Sequence, residues 1–261
     1  GDLKVDYLYG IMGFHHVEEI FSILLTCFIF IAITNAINLI DGIDGLAGGI
    51  ATIACTTFGG WFLLTNHFAM ACMAFTLAGA LVGFLRFNFS KTSKIFMGDT
   101  GSLLLGLINS ILVIKFINVA GNPASNFPIA AAPAIGFSIL MIPLFDTLRV
   151  FGLRILDRRS PFSPDRTHVH HFLLDLGFSH RMVTVTCVLV NITFIAMAFL
   201  MRGLGTTILL GILLLSAFVF IGIIYYSRPK QRNLLPKKLE KASILKSHKI
   251  LKLAGEAVEA D

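Results

Sequence analysis

The sequence predicts an all-α, polytopic integral membrane helical bundle with about seven transmembrane helices. Three observations carry this. Of 261 residues, 56% are hydrophobic and only 14% charged, with a mean hydropathy of +0.82; a soluble domain carries about 25% charged residues. The apolar residues fall into runs near the ~20 residues needed to cross a ~30 Å hydrocarbon core. The 24 Phe and 23 Gly suit lipid-facing surface and close helix packing. Helix is the expected state, because an open strand edge leaves backbone groups unsatisfied in lipid.

Residues 1–19 mix polar and apolar types and read as an external N-terminal segment without a signal peptide. The expected helices are Ile20–Ile40, Leu46–Leu64, Ala69–Phe87, Ser102–Val119, Pro128–Leu148, Val183–Met201 and Thr206–Tyr226. Together they make a transmembrane domain over 20–226, followed by a basic tail over 227–261. Basic residues gather in alternate connections: Arg86, Lys91 and Lys94, then Arg149, Arg154, Arg158, Arg159, Arg166 and Arg181, then the tail. Only Lys4, Lys115 and Arg202 of the 21 fall elsewhere. Under the positive-inside rule the loops 41–45, 88–101 and 149–182 and the tail are expected to be cytoplasmic. The connections at 65–68, 120–127 and 202–205 are then external. The start of the chain is external too, as expected if an even number of upstream helices is absent. The tail is partly amphipathic and suits either an anionic membrane face or solvent. Cys27, Cys55, Cys72 and Cys187 stand singly in apolar runs with no CxxC or CxxH spacing, and read as small buried hydrophobes.

Three polar constellations interrupt the apolar background. In "TNAINLIDGIDGLAGG", Asn35, Asn38, Asp41 and Asp44 recur every third residue. On a helix this makes a slanting polar stripe, and Gly42 and Gly45 let the backbone turn so that both acids face one cleft. A charge deep in a membrane helix costs ~2.5–3.5 kcal/mol, and placement at the helix mouth lowers that cost. In "KIFMGDTGSLLLG", Asp99 lies between Gly98 and Gly101 at an expected N-cap. It is placed to hold Mg²⁺, which in turn bridges to phosphate oxygens. In "RRSPFSPDRTHVHHFLLDLGFSH", Pro161 and Pro164 forbid one long helix. Arg158, Arg159, Arg166, His168, His170 and His171 concentrate positive charge and donors that suit a pyrophosphate. Carboxylates for a divalent metal, glycine turns at a helix start and a basic cluster together form an inventory for phosphoryl transfer. A membrane location points to a lipid as one phosphorylated substrate. Residue chemistry alone leaves a second class open, a transporter with acids along an ion pathway. A transporter usually places such acids at mid-membrane on broken helices, whereas here they gather at helix ends.

The three motifs, in this order, resemble those of the polyprenyl-phosphate N-acetylhexosamine-1-phosphate transferase family, glycosyltransferase family 4. The resemblance covers nearly all of residues 20–226. It implies transfer of a sugar-1-phosphate from a UDP-N-acetylhexosamine to undecaprenyl phosphate, with Mg²⁺ (or Mn²⁺) as cofactor and UMP released. It further implies a multi-pass protein of the bacterial inner membrane with a cytoplasmic site, a lipid bilayer as environment, a homodimer as one assembly option and no nucleic-acid partner. His168-Val169-His170-His171 is similar to the His-x-His-His of the UDP-GlcNAc branch, which starts surface glycans such as O-antigen and teichoic acid. The alternative branch, phospho-MurNAc-pentapeptide translocase, usually shows three consecutive His.

Carried over by motif, Asp41 and Asp44 are active-site acids and Asn38 is their helix neighbour. Asp99 is the Mg²⁺ ligand, with Asp41 beside it. Arg166, His168, His170 and His171 contact the phosphates of the UDP-sugar. Asn88 matches an Asn on the uridine side, although "FSKTSKIFM" lacks the Pro-Ala often seen after it. Asp146 in "PLFDTLRV" also matches, and with Arg149 three residues on it reads as an ion pair. The sequence departs from the family in one respect. The family carries an Asp-Asp pair in an earlier loop and about eleven helices, and no Asp-Asp occurs in these residues. The expectation is that this loop is lost with the upstream helices, and that the chain alone lacks part of its catalytic apparatus and lipid groove.

Overall fold

The structure, a computed structural model, describes residues 3–158, 160 and 168–228. Among the described residues, six helices are long and apolar enough to cross a membrane: α1 Glu19–Ile40, α2 Leu46–Leu64, α3 Phe68–Asn88, α4 Gly98–Ala120, α8 His180–Leu200 and α9 Thr206–Ser227. Each matches an expected span to within four residues at either end. The fold is therefore the membrane helical bundle that the apolar runs predict. Exposed Phe21, Leu24, Phe28 and Ile31 on α1, and Ile208, Leu215, Phe218 and Ile223 on α9, are the lipid-facing surface of such a bundle.

The fifth expected span, Pro128–Leu148, is broken. It becomes α5 Ala132–Ile139 and α6 Met141–Leu156, bent by 88° at Leu140. Pro143 lacks the N–H that would bond the carbonyl four residues earlier, and its ring collides with that carbonyl. The freed groups are met from α8. Asn191, fully buried, donates from Nδ2 to the Ile139 carbonyl at 2.9 Å and accepts the Ile142 N–H at Oδ1 at 3.1 Å. One amide thus satisfies both sides of the break, as backbone in a membrane interior requires. The connection expected from residue 149 starts later, because α6 runs to Leu156, and it contains a short helix, α7 Val169–Asp175.

The N-terminal segment is not helical. It forms an antiparallel hairpin, β1 Tyr7–Ile11 and β2 Phe14–His16. Thr206 and Thr207 at the start of α9 donate to the carbonyls of Tyr9 and Gly10, and Thr207 Oγ1 accepts the Met12 N–H. These anchors meet the polar groups of a short two-stranded element at the bundle's end.

Inside, α1 packs along α4, and α2 lies between α3 and α8. The closest approach is at Gly106 on α4. A Cβ there would lie 2.4 Å from the Thr34 Cα on α1, so only glycine lets the two helices meet at this depth. Trp61, Phe58 and Phe116 fill the layer between α2 and α4, with the Trp61 and Phe116 rings 4.8 Å apart. The hairpin, Thr65, His67 and Asn118–Asn126 surround one cavity at one end of the bundle. The acids and histidines gather at the other.

Candidate active site

The site begins where α1 ends. Helix α1 stops at Ile40, and the turn Asp41–Gly45 leads directly into α2. Gly45 has φ +74°, and a Cβ on it would fall 2.1 Å from the Phe89 ring, so glycine is required for both conformation and space. This turn separates Asp41 from Asp44 and gives each its own neighbours.

Asp41 faces the start of α4. Partial burial, and after it the charge of Asp99, push its carboxyl up to about 6. Asn38, one turn back on α1, donates from Nδ2 to Ser102 Oγ at 2.8 Å and reaches Asp99 Oδ1 at 3.5 Å. Ser102 Oγ in turn donates to the carbonyls of Gly98 and Asp99. The contact at Gly106 and Thr34 sets the helix spacing that makes these bonds possible. Asp99 is not the N-cap. Helix α4 starts at Gly98 after an N-cap at Met97 that makes no side-chain cap bond, so Asp99 lies within the first turn. Its carboxylate is favoured there by the helix dipole and remains exposed to a ligand.

Asp44 is an anchored acid. Its Oδ2 lies 2.7 Å from Lys94 Nζ and 3.3 Å from His180 Nδ1, and its carbonyl accepts from Thr184 Oγ1. These contacts tie the α1–α2 turn to the 89–97 connection and to α8.

The histidine motif is built on α7. The His170 ring lies over Gly42, with Nε2 3.9 Å from where a Cβ would sit. The His168 and His170 rings are stacked with centroids 5.6 Å apart, and His171 lies 4.4 Å from His170. Burial first, and then the adjacent His171, hold His170 down to about 4. At neutral pH His170 is therefore an uncharged donor and acceptor, not part of a positive cluster. Arg166 lies outside the described residues.

Asp146 does more than pair with Arg149. It is 2% exposed, and its Oδ1 accepts from Arg149 Nη2 at 2.7 Å. Its Oδ2 accepts from His168 Nδ1 at 2.9 Å, and both oxygens accept the Val169 N–H. It thus fixes both the His168 ring and the first turn of α7. The sequence signal was an acid inside an apolar run; its partner 22 residues away was not visible.

Asn88 is buried and donates from Nδ2 to the Ile95 carbonyl at 2.8 Å. That bond closes the 89–97 connection over the end of α3. The structure therefore brings together Asn38, Asp41, Asp44, Asp99, His168, His170 and His171, and uses Asn88 to shape the loop beside them.

Oxygen donors from Asp41 and Asp99 suit Mg²⁺, which takes one or two protein carboxylates and completes its shell from water and phosphate. Among the described residues no group of three or more His, Cys, Asp or Glu is arranged to hold a metal ion.

Comparison with known proteins agrees with the motifs. The profile described as glycosyl transferase family 4 matches residues 2–117, which hold the first two motifs. A probable undecaprenyl-phosphate N-acetylglucosaminyl 1-phosphate transferase of Bacillus subtilis (strain 168) is 37% identical over 179 residues, 69% of this chain and 48% of the relative. A decaprenyl-phosphate N-acetylglucosaminephosphotransferase of Mycolicibacterium smegmatis is 37% identical over 189 residues, 66% of this chain and 45% of the relative. An undecaprenyl-phosphate alpha-N-acetylglucosaminyl 1-phosphate transferase of Escherichia coli (strain K12) is 30% identical over 185 residues, 70% and 48% respectively. The chain spans about half the length of the curated relatives it matches. Apolar spans, motif order and these alignments agree that this multi-pass membrane chain belongs to glycosyl transferase family 4.

Proposed function

We propose that this chain acts in the transfer of GlcNAc-1-phosphate from UDP-GlcNAc to undecaprenyl phosphate, releasing UMP and starting a lipid-linked envelope glycan. The site faces the cytoplasm of a bacterial inner membrane in this reading, on the side of the basic connections. The observation that carries it is the junction of α1 and α4, where Asn38 bonds Ser102 and Asp99, Asp41 feels the charge of Asp99, and His170 lies over the same turn. The names of the relatives support the nucleotide sugar and the prenyl phosphate.

Bound at Asp99 and Asp41, Mg²⁺ would supply neutralisation of the diphosphate charge. Asn38 holds Asp99 toward the shared space. His170, uncharged at neutral pH, donates an N–H to a phosphate oxygen. His168, held by Asp146, and His171 line the same side. Lys94 and His180 keep Asp44 at the rim. The undecaprenyl phosphate oxygen attacks the phosphorus next to the sugar. The bond from that phosphorus to the bridging oxygen breaks, and UMP leaves with that oxygen. Most of the acceleration in such a transfer comes from positioning and charge stabilisation.

The test is UMP release by the full-length gene product supplied with undecaprenyl phosphate and a panel of UDP-sugars. Release with UDP-GlcNAc that stops on chelation supports the reading. Release only with another UDP-sugar, or none in any combination, rejects it.

A further inference from the structure

A second polar site lies on the same end of the bundle. A cleft of about 670 Å³ opens between the end of α3, the turn after it and the start of α8. Three cations line it from these three elements: Arg86, Lys91 and Arg181. No acid lines it. Arg86 and Lys91 have no ion-pair or hydrogen-bond partner among the described residues. Both are exposed, one in the last turn of α3 and one in the connection that follows it.

The cleft floor is a formed turn. Ser90 Oγ accepts the N–H groups of Thr92 and Ser93, and both residues line the cleft with Lys91. Arg181 Nη2 donates to the Phe89 carbonyl, and its guanidinium carbon is 5.7 Å from the Phe89 ring centroid, so it stays at the cleft wall. The other rim is apolar. Val82 and Phe87, both exposed on α3, line it there.

A cation-lined cleft with hydroxyl donors at its base and an apolar rim matches one ligand class: a phosphate attached to acyl chains. Basic pockets between transmembrane helices bind the headgroups of anionic lipids. We propose that this cleft binds the phosphate headgroup of an anionic phospholipid, with Arg86, Lys91 and Arg181 on the phosphate and Val82 and Phe87 along the first part of an acyl chain. The site is separate from the acids and histidines. It adjoins them through Phe89, whose ring sits against Gly45, and through His180, which precedes Arg181 and bonds Asp44.

The test is native mass spectrometry of the full-length protein in detergent, titrated with dioleoyl-phosphatidylglycerol or dioleoyl-phosphatidylcholine. The comparison is between wild type and an Arg86→Gln, Lys91→Gln double variant. Both residues are exposed, so equal melting temperatures without lipid verify folding. The expected result is phosphatidylglycerol bound at least tenfold more tightly than phosphatidylcholine, falling about tenfold in the variant. Equal binding of the two lipids, or unchanged phosphatidylglycerol affinity in the variant, overturns the proposal. Displacement of phosphatidylglycerol by equimolar inorganic phosphate overturns the lipid assignment in favour of a free anion. A raised KM for undecaprenyl phosphate in the variant with phosphatidylglycerol affinity intact overturns it in favour of an acceptor subsite.

Discussion

Asp41 carries the clearest electrostatic signature. Its carboxyl titrates near 6 against an ordinary 3.8, because partial burial and then Asp99 disfavour its charge. For an acid raised on folding, stability is fully present below the ordinary value and is lost as pH rises through the folded one. The metal-free protein should therefore lose stability between pH 4 and pH 6.5, by about 1 kcal/mol after solvent screening. Melting curves in chelator should show this fall, and Asp41→Asn should flatten it; an identical slope in the variant would refute the coupling. Asp99 is exposed in the first turn of α4, so Asp99→Asn should fold normally. It should lower Mg²⁺-dependent UMP release by the full-length enzyme by about 10²-fold or more, the scale of losing one electrostatic stabiliser. Near-normal turnover would remove Asp99 from the site. Asp146 makes the opposite kind of contribution. Asp146→Ala removes the carboxylate that accepts from Arg149, His168 and the Val169 N–H. Removing one partner from a buried ion pair costs about 3–5 kcal/mol, so its melting temperature should fall by several degrees; an unchanged value would count against the buried network.

At the scale of elements, two polar or small residues decide how the helices meet. Gly106→Val places a side chain against the Thr34 backbone and forces α1 from α4. Overpacking of this kind costs about 1–3 kcal/mol, and it should also lengthen the Asn38–Ser102 contact. Its signature is a lower melting temperature together with weaker binding of the nucleotide sugar; normal values of both would mean the helices adjust freely. Asn191 shows where the sequence is hard to read. The apolar run 128–148 has the length of one span, and Pro143 signals a kink. The 88° bend depends on an amide 48 residues beyond that proline, which no local pattern reveals. The hairpin at 7–16 was missed for a related reason, since its anchors are Thr206 and Thr207. The straight helices were legible because lipid demands long apolar runs, and Leu46–Leu64 is reproduced residue for residue.

At the scale of the molecule, the alternation of basic and neutral connections sorts the two ends of the bundle. Spacing alone placed Asp41 and Asp99 at helix mouths, and the fold brings them within reach of each other's charge. It did not reveal that Lys94 and His180 engage Asp44, or that burial leaves His170 uncharged, because both depend on neighbours distant in sequence. The most direct measurement is Mg²⁺-dependent binding of UDP-GlcNAc to the full-length protein by titration calorimetry, in wild type, Asp99→Asn and His170→Ala. If residues from these separate stretches grip one diphosphate, each substitution weakens binding by about tenfold or more, as loss of a charge-assisted contact does. Affinity within twofold of wild type in both variants would contradict a shared site.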